Sequence, residues 1–108
     1  MRRLLLAALL ALAVAPPVRA EDPGFSLVIR NHVFEPARIV VPANAKFRLL
    51  VKNLDASAEE FESKDLKREK VIAPGTEAVI FLGPLKPGTY RFVGEYNEAT
   101  AKGELVAQ

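Results

Sequence analysis

Few residues in this 108-residue sequence have side chains that bind metal ions or carry out catalysis. It contains no cysteine and one histidine, His32, so it offers neither a thiolate nor a pair of imidazoles. Its other strong donors are carboxylates, of which Glu59, Glu60 and Glu62 are closely spaced. Carboxylates suit hard cations, and a histidine combined with carboxylates suits iron or copper(II). The alternative is a surface role, since a lone histidine after an edge strand commonly caps a turn and alternating glutamates commonly form a solvated strand face.

The sequence contains no recognisable catalytic set, and we predict that the chain is not an enzyme and has no catalytic residues. A single histidine cannot complete a zinc-type ligand spacing, and no serine elbow or phosphate-binding glycine loop is present. Tyr90 follows the turn at Pro87-Gly88 and is better explained as a packing residue than as an acid or base.

Regularly spaced prolines and glycines divide the chain into short segments rich in Val, Ile, Leu and Phe, which is the pattern of a β-sandwich or barrel. We predict about seven strands, at Phe25–Arg30, Arg38–Val41, Lys46–Asn53, Ala58–Ser63, Glu77–Leu82, Thr89–Val93 and Gly103–Ala107. This number of short strands favours an all-β, Greek-key sandwich. The polar run at residues 64–70 is expected to form a solvated loop and strand edge.

Alternation within the strands predicts which side chains face the core. Lys46–Asn53 alternates basic residues with Phe47, Leu49 and Val51, although Leu50 breaks the pattern. Glu77–Leu82 places its alternate apolar residues on one face. We also expect the six phenylalanines to belong to the core: Phe25, Phe34, Phe47, Phe61, Phe81 and Phe92.

The N-terminal residues predict a cleaved secretory signal at 1–20, followed by one domain at 21–108. Arg2 and Arg3 precede an apolar run of 11 residues, which is too short for a spanning helix of about 20, and Ala20 ends a plausible cleavage site. Removal of this segment leaves 12 basic and 13 acidic residues, a net charge of −1. We therefore expect a periplasmic protein with no membrane anchor after cleavage and no nucleic-acid partner.

The segment Gly88–Asn97, followed by Gly103–Val106, resembles the last two strands and the ligand loop of a cupredoxin, whose loop reads Gly-x-Tyr-x-Phe-x-Cys-x-x-His. In this resemblance Gly94 takes the place of the cysteine and Asn97 that of the histidine, and the axial methionine falls at Ala101 or Lys102. Gly94 shares the strand parity of Tyr90 and Phe92, so position 94 is expected to face the interior. Glu59 matches the earlier histidine ligand and shares the inward parity of Phe61. A type 1 copper site cannot form without its thiolate, so blue-copper electron transfer is excluded.

A wider resemblance covers six segments of the chain. Ile29–Pro36, Val41–Ala43, Glu59–Ser63, Glu69–Gly75, Gly83–Gly88 and Gly94–Ala101 are together similar to the cupredoxin-like domain of bacterial periplasmic iron-uptake systems, the Efe-type domain in its stand-alone form. The resemblance implies a copper or iron ion and partners among periplasmic or inner-membrane iron-transport proteins. It also implies a set of metal ligands at one end of the sandwich: His32, Glu59, Glu60, Glu62, Glu95 and Asn97.

Two functions of different classes remain open from the sequence. The first is a metal-binding accessory protein of iron uptake, with or without the assistance of copper, in which the carboxylates and His32 hold an ion transiently. The second is an interaction domain that binds no metal and docks on a transport protein. A ferroxidase step on Fe(II) is a third reading, against which the poor ligand set argues.

Overall fold

The structure is a computed structural model that describes residues 17–19 and 21–108. The predicted signal peptide lies outside the described residues except for positions 17–19. Within the described part the chain forms nine strands. They are β1 (Gly24–Arg30), β2 (Val33–Glu35), β3 (Arg38–Val41), β4 (Phe47–Asn53), β5 (Glu59–Ser63), β6 (Arg68–Ile72), β7 (Glu77–Leu82), β8 (Gly88–Gly94) and β9 (Lys102–Ala107). None of the helices in this part is long and apolar enough to cross a membrane.

The strands form two sheets that pack face to face. The four-stranded sheet has the order β2-β1-β4-β7, and the five-stranded sheet has the order β3-β9-β8-β5-β6. β1 pairs with β4 and β3 pairs with β9 in parallel, whereas the other neighbours are antiparallel. The predicted all-β sandwich is therefore confirmed, with two more strands than the sequence indicated.

Two strands were missed because they lack an alternating apolar pattern. β2 has only three residues. β6 exposes its first four residues and buries only Ile72, because it lies at the edge of the five-stranded sheet. The polar run at 64–70 divides between the turn before β6 and β6 itself. Short or exposed strands are ordered by their neighbours and not by their own hydrophobic pattern.

The core lies between the two sheets. In β4 the residues Phe47, Leu49 and Val51 are fully buried, as the alternation predicts. Three buried rings from different strands meet at the centre, with centroids 5.0 Å apart for Phe34 and Phe92 and 5.2 Å apart for Phe61 and Phe92. These aromatic contacts tie β2 to the five-stranded sheet.

The prediction that all six phenylalanines belong to the core is wrong for Phe81. Its side chain is 44% exposed, because Phe81 alternates with the inward residues Ile80 and Leu82 and lies on the outer face of β7. Phe25 is partly buried and packs edge-to-face on Phe47 with centroids 5.9 Å apart. The other phenylalanines are buried, at 0–1% exposure.

Candidate functional site

Four positions that the sequence aligned with copper ligands meet at one end of the sandwich. Glu59 begins β5, Gly94 ends β8, Asn97 lies in a single 3₁₀ turn at Glu95–Asn97, and Ala101 precedes β9. The Gly94 N–H donates to the carbonyl oxygen of Ala101 at 2.8 Å, and Asn97 Nδ2 donates to Glu59 Oε2 at 2.7 Å. Ala101 is fully buried whereas Lys102 is exposed, so Ala101 is the residue that takes the fourth position.

The carboxyl group of Glu59 fills this pocket. Glu59 is 1% exposed. Its Oε1 accepts hydrogen bonds from the backbone N–H groups of Tyr96, at 2.9 Å, and Glu60, at 3.0 Å, while Oε2 accepts the bond from Asn97. A buried carboxyl group needs such donors, since unpaired burial costs several kcal/mol. Both oxygens of Glu59 are therefore satisfied by the protein itself.

Gly94 provides the space that Glu59 occupies. A Cβ atom on residue 94 would lie 2.6 Å from Glu59 Cδ and 2.6 Å from the Cβ of Ala101. These distances are shorter than carbon atoms can approach without displacement, so no side chain fits at position 94 while Glu59 and Ala101 stay in place. The Glu59 carboxyl thus lies in the volume that a cysteine side chain at position 94 would enter.

The loop that follows β8 is held in a fixed shape around the pocket. The Ala101 N–H donates to the carbonyl oxygen of Asn97 at 2.8 Å, and the Thr100 N–H donates to the same oxygen at 3.1 Å. The Thr100 hydroxyl donates to the carbonyl oxygen of His32. Since Tyr96 is pinned through its N–H while its side chain is 54% exposed, the loop presents an aromatic ring to solvent.

His32 lies at the same end but is organised by a different carboxylate. Asn31 and His32 have φ angles of 52° and 58°, which form the tight turn between β1 and β2. Asp55 accepts hydrogen bonds from both of their N–H groups, at 2.7 and 2.9 Å. The bond from the His32 N–H is the main cause of the lowered pKa of Asp55, assisted by the Asn31 N–H. His32 Nδ1 is 3.5 Å from Asp55 Oδ2, and the imidazole is half exposed.

The remaining predicted carboxylates face away from the pocket. Glu60 and Glu62 alternate with the buried residues of β5 and lie on the outer face of the five-stranded sheet. The pKa of Glu95 is raised, chiefly by a hydrogen bond and repulsion from Glu60. A surface groove of about 600 Å³ runs beside them, lined by Glu62, Glu95 and Glu98 together with basic residues. Apart from the backbone N–H of Glu60, Glu60, Glu62 and Glu95 make no hydrogen bond to the Glu59 oxygens in the described part of the chain.

The structure therefore separates the six predicted metal ligands into three places. Glu59 and Asn97 are bonded to each other in the pocket, His32 contacts Asp55, and Glu60, Glu62 and Glu95 lie outside. In residues 17–19 and 21–108 no three His, Cys, Asp or Glu side chains are grouped so that they could hold a metal ion. Binding of a metal by these six residues stays a prediction.

A type 1 copper ion does not fit the residues of the pocket. Such a site needs a thiolate and two imidazoles, whereas these positions hold Glu59, Gly94, Asn97 and Ala101. The oxygens of Glu59 already accept bonds from donors that converge on them. The pocket is organised as a closed hydrogen-bonded unit.

Sequence reasoning did not identify the residues that organise this end of the sandwich. Asp55 and Thr100 hold the β1–β2 turn and the loop after β8 through contacts between distant parts of the chain. One local signal was present, since Asn53 Oδ1 accepts the N–H of Asp55 at 3.0 Å in an Asn-x-Asp turn that the sequence spells out. The Asn53 side chain also donates to the carbonyl oxygens of Ser57 and Ile72.

The chain matches one protein family model and is similar to a protein of known sequence. The family model described as "Cupredoxin-like domain" matches residues 2–107. An uncharacterized protein of Rickettsia prowazekii (strain Madrid E) is 42% identical over 80 residues, which are 74% of this chain and 64% of that protein. The chain thus spans less than two thirds of the length of this relative.

Solved structures share the fold at low sequence identity. The metal-binding domain of a Cu(I)-exporting P-type ATPase from Streptococcus pneumoniae, solved with Cu(I), has a TM-score of 0.71 at 15% identity, covering 85% of this chain and 92% of that one. Reduced auracyanin from Roseiflexus castenholzii has a TM-score of 0.66 at 15% identity, covering 81% and 98%. A purple cupredoxin from Nitrosopumilus maritimus has a TM-score of 0.62 at 12% identity, covering 77% and 98%.

Proposed function

The chain belongs to the family of cupredoxin-like domains, and on this premise we propose that it is a periplasmic accessory protein of iron uptake that docks on a transport protein and carries no type 1 copper. The observation that carries the proposal is the Glu59 carboxyl group, which fills the position of the copper-binding cysteine and has both oxygens hydrogen-bonded. A domain that keeps the fold but closes the pocket retains its surface for function.

The surface around the closed pocket suits a docking role. Its exposed side chains include Tyr96 (54% exposed), Leu54 (42% exposed) and the imidazole of His32. We call these three residues the docking end. Their backbones are held by hydrogen bonds, so that little conformational entropy would be lost on binding. Tyrosine is enriched at the centres of protein interfaces.

Two parts of the proposal depend on the sequence alone. The iron-transport partner is supported by the similarity of the six segments to the domain of iron-uptake systems. The periplasmic location is supported by the basic and apolar N-terminal residues. The copper named for the structural neighbours belongs to those proteins, which share only the fold with this chain.

Iron uptake by cells that lack their own copy of the gene would test the docking role. We expect that the wild-type gene restores uptake, that Tyr96→Ala and Leu54→Ala together abolish most of the restoration, and that the control Val40→Ala does not. Val40 is also exposed, at 43%, but it lies outside the docking end, on the outer face of the edge strand β3. Normal uptake with both docking-end substitutions, at normal protein level, would contradict the proposal.

A second candidate is the metal-binding accessory role. The observation in its favour is the close approach of Glu60 and Glu95, which raises the pKa of Glu95 and which a cation would relieve. Calorimetric titration with Cu(II), Fe(II) and Fe(III) separates the two candidates. Binding tighter than millimolar that disappears in the Glu60→Gln, Glu62→Gln, Glu95→Gln variant supports this role, and weaker binding excludes it.

A further inference from the structure

The outer face of the four-stranded sheet carries an exposed apolar strip at its edge. Val79 and Phe81 of β7 are 41% and 44% exposed, and the half-buried Leu50 lies directly opposite Val79 in β4. Leu50 is the residue that breaks the alternation of β4. This apolar residue of β4 therefore lies beside an exposed apolar residue of the neighbouring strand, and we call Leu50, Val79 and Phe81 the β7 strip.

β7 is also an edge strand with little protection. It ends the order β2-β1-β4-β7 and pairs only with β4 among the described strands. Of its six residues only Glu77, the first, is charged. The other edge strands are defended against further pairing, since β2 and β3 are short and β6 begins with Arg68, Glu69 and Lys70. An apolar edge of this length favours the addition of another strand.

We propose that β7 pairs with β7 of a second copy of this chain in an antiparallel, two-fold symmetric ladder centred on Ile80. This register places Val79 opposite Phe81 of the second copy, and the reverse pair follows by symmetry. A shift of one residue would turn the outer face of one copy toward the core face of the other. A shift of two residues toward the start of β7 would place Phe81 opposite Glu77 of the second copy and lose the apolar match.

The charges at the ends of the ladder are complementary in the same register. Glu77 would lie opposite Gly83 of the second copy, which has no side chain. On the β4 side of Gly83 lies Lys46 of the same copy, whose Cα is 3.3 Å from where a Cβ on Gly83 would be. Glu77 and Lys46 would be two strand spacings apart, about 10 Å between backbones. Their long side chains can meet across the glycine.

Lys46 has no polar partner within the described part of its own chain. Its Nζ is buried and has no hydrogen-bond partner in the part of the chain that the structure describes. Neither Lys46 nor Glu77 takes part in an ion pair with another described residue, although Lys52 of β4 lies directly opposite Glu77 in the same chain. An ammonium group without a partner is costly to bury, and a Lys46 side chain that turns outward to the carboxylate of Glu77 in a second copy would remove that cost. Pairing with a second copy would thus bury the β7 strip and give Lys46 a partner of opposite charge.

The interface is small. Two paired strands of six residues bury less than the roughly 1,600 Å² of a standard protein interface, so we expect a dimer that dissociates on dilution. Sedimentation velocity of the protein produced from the full chain, over a wide range of concentration, should show this monomer–dimer equilibrium. A protein that stays monomeric at all concentrations overturns the proposal and assigns the strip to a different occupant.

A charge placed in the strip should prevent the pairing. We expect Val79→Lys to raise the dissociation constant at least about tenfold, because the lysine would face Phe81 of the second copy. The matched control is Val40→Lys, which places the same charge on the exposed outer face of another edge strand, β3. Dimerisation that survives Val79→Lys, or that is lost equally in both variants, overturns the proposal.

Charge reversal tests the register independently of the strip. Glu77→Lys and Lys46→Glu should each weaken the dimer by bringing like charges together. The double variant should restore it, because the lysine that then begins β7 in one copy meets the glutamate that then precedes β4 in the other. Circular dichroism establishes that each variant is folded. Failure of the folded double variant to recover association refutes the proposed register.

Discussion

Replacement of Glu59 by alanine is expected to destabilise the fold more than any other single carboxylate change in β5. Glu59 is 1% exposed and receives hydrogen bonds from the Tyr96 N–H and the Asn97 side chain, both of which would be left inside an emptied pocket. A buried donor left unpaired costs about 1–3 kcal/mol, so two donors and the cavity give a loss of about 3–5 kcal/mol in the free energy of unfolding. For a domain of this size the melting temperature should fall by more than about 10 °C.

Urea unfolding followed by circular dichroism measures this loss. The control is Glu62→Ala in the same strand, which removes a carboxylate from the outer face and should change stability by less than about 0.5 kcal/mol. Glu59→Gln should cost about 1 kcal/mol, because an amide oxygen can still accept the backbone bond while its nitrogen opposes the Asn97 amide. If Glu59→Ala costs no more than Glu62→Ala, the carboxyl group does not organise the pocket as described.

Three further results are expected. Gly94→Cys should lower the free energy of unfolding by about 1–3 kcal/mol, because its Cβ would overlap the Glu59 carboxyl group. Glu59→Ala should cost less in the Gly94→Cys background than alone, and a double-mutant cycle in urea that shows simple additivity would contradict the steric explanation. Gly103→Ala should cost a similar amount, about 1–3 kcal/mol by thermal unfolding, since the added methyl group would overlap the buried ring of Phe92. Because the pKa of Asp55 is lowered in the folded state, the stability that Asp55 contributes is fully present above the ordinary pKa of 3.8 and is lost as the pH falls through the lower folded pKa. The Asp55→Asn variant should therefore lose less stability than the wild type over that acid range, and an equal loss in both would show that the turn hydrogen bonds are not coupled to the charge of Asp55.

The interior of the sandwich was predictable from the sequence because strand alternation has a fixed period. The parity of Glu59 with Phe61, and of Gly94 with Phe92, correctly placed both residues inside before their surroundings were known. The same rule placed Phe81 outside with respect to Ile80, but the general preference of phenylalanine for the core led to the wrong expectation. Parity was the better guide because the geometry of a strand overrides residue type.

The chemistry of the pocket was not predictable in the same way. Its bonds join Glu59 to Tyr96 and Asn97, which lie 37 and 38 residues away, and no local pattern specifies such a contact. The outward direction of Glu60 follows from alternation, yet its approach to Glu95 depends on how the 3₁₀ turn leaves β8. Donor types indicated which metals were conceivable, whereas only the three-dimensional arrangement shows that the donors are dispersed.

The position of β9 in the five-stranded sheet also bears on how the chain folds. β9 lies between β3 and β8, so β3 has no neighbour in its sheet until residues 102–107 are present. A growing chain that has been synthesised only as far as β8 therefore cannot pair β3 and cannot complete the five-stranded sheet. Pairing between strands so far apart in the sequence is slow to form. We expect the five-stranded sheet to be completed only after β9 is made, so that β3 stays without a partner in its sheet until the end of synthesis.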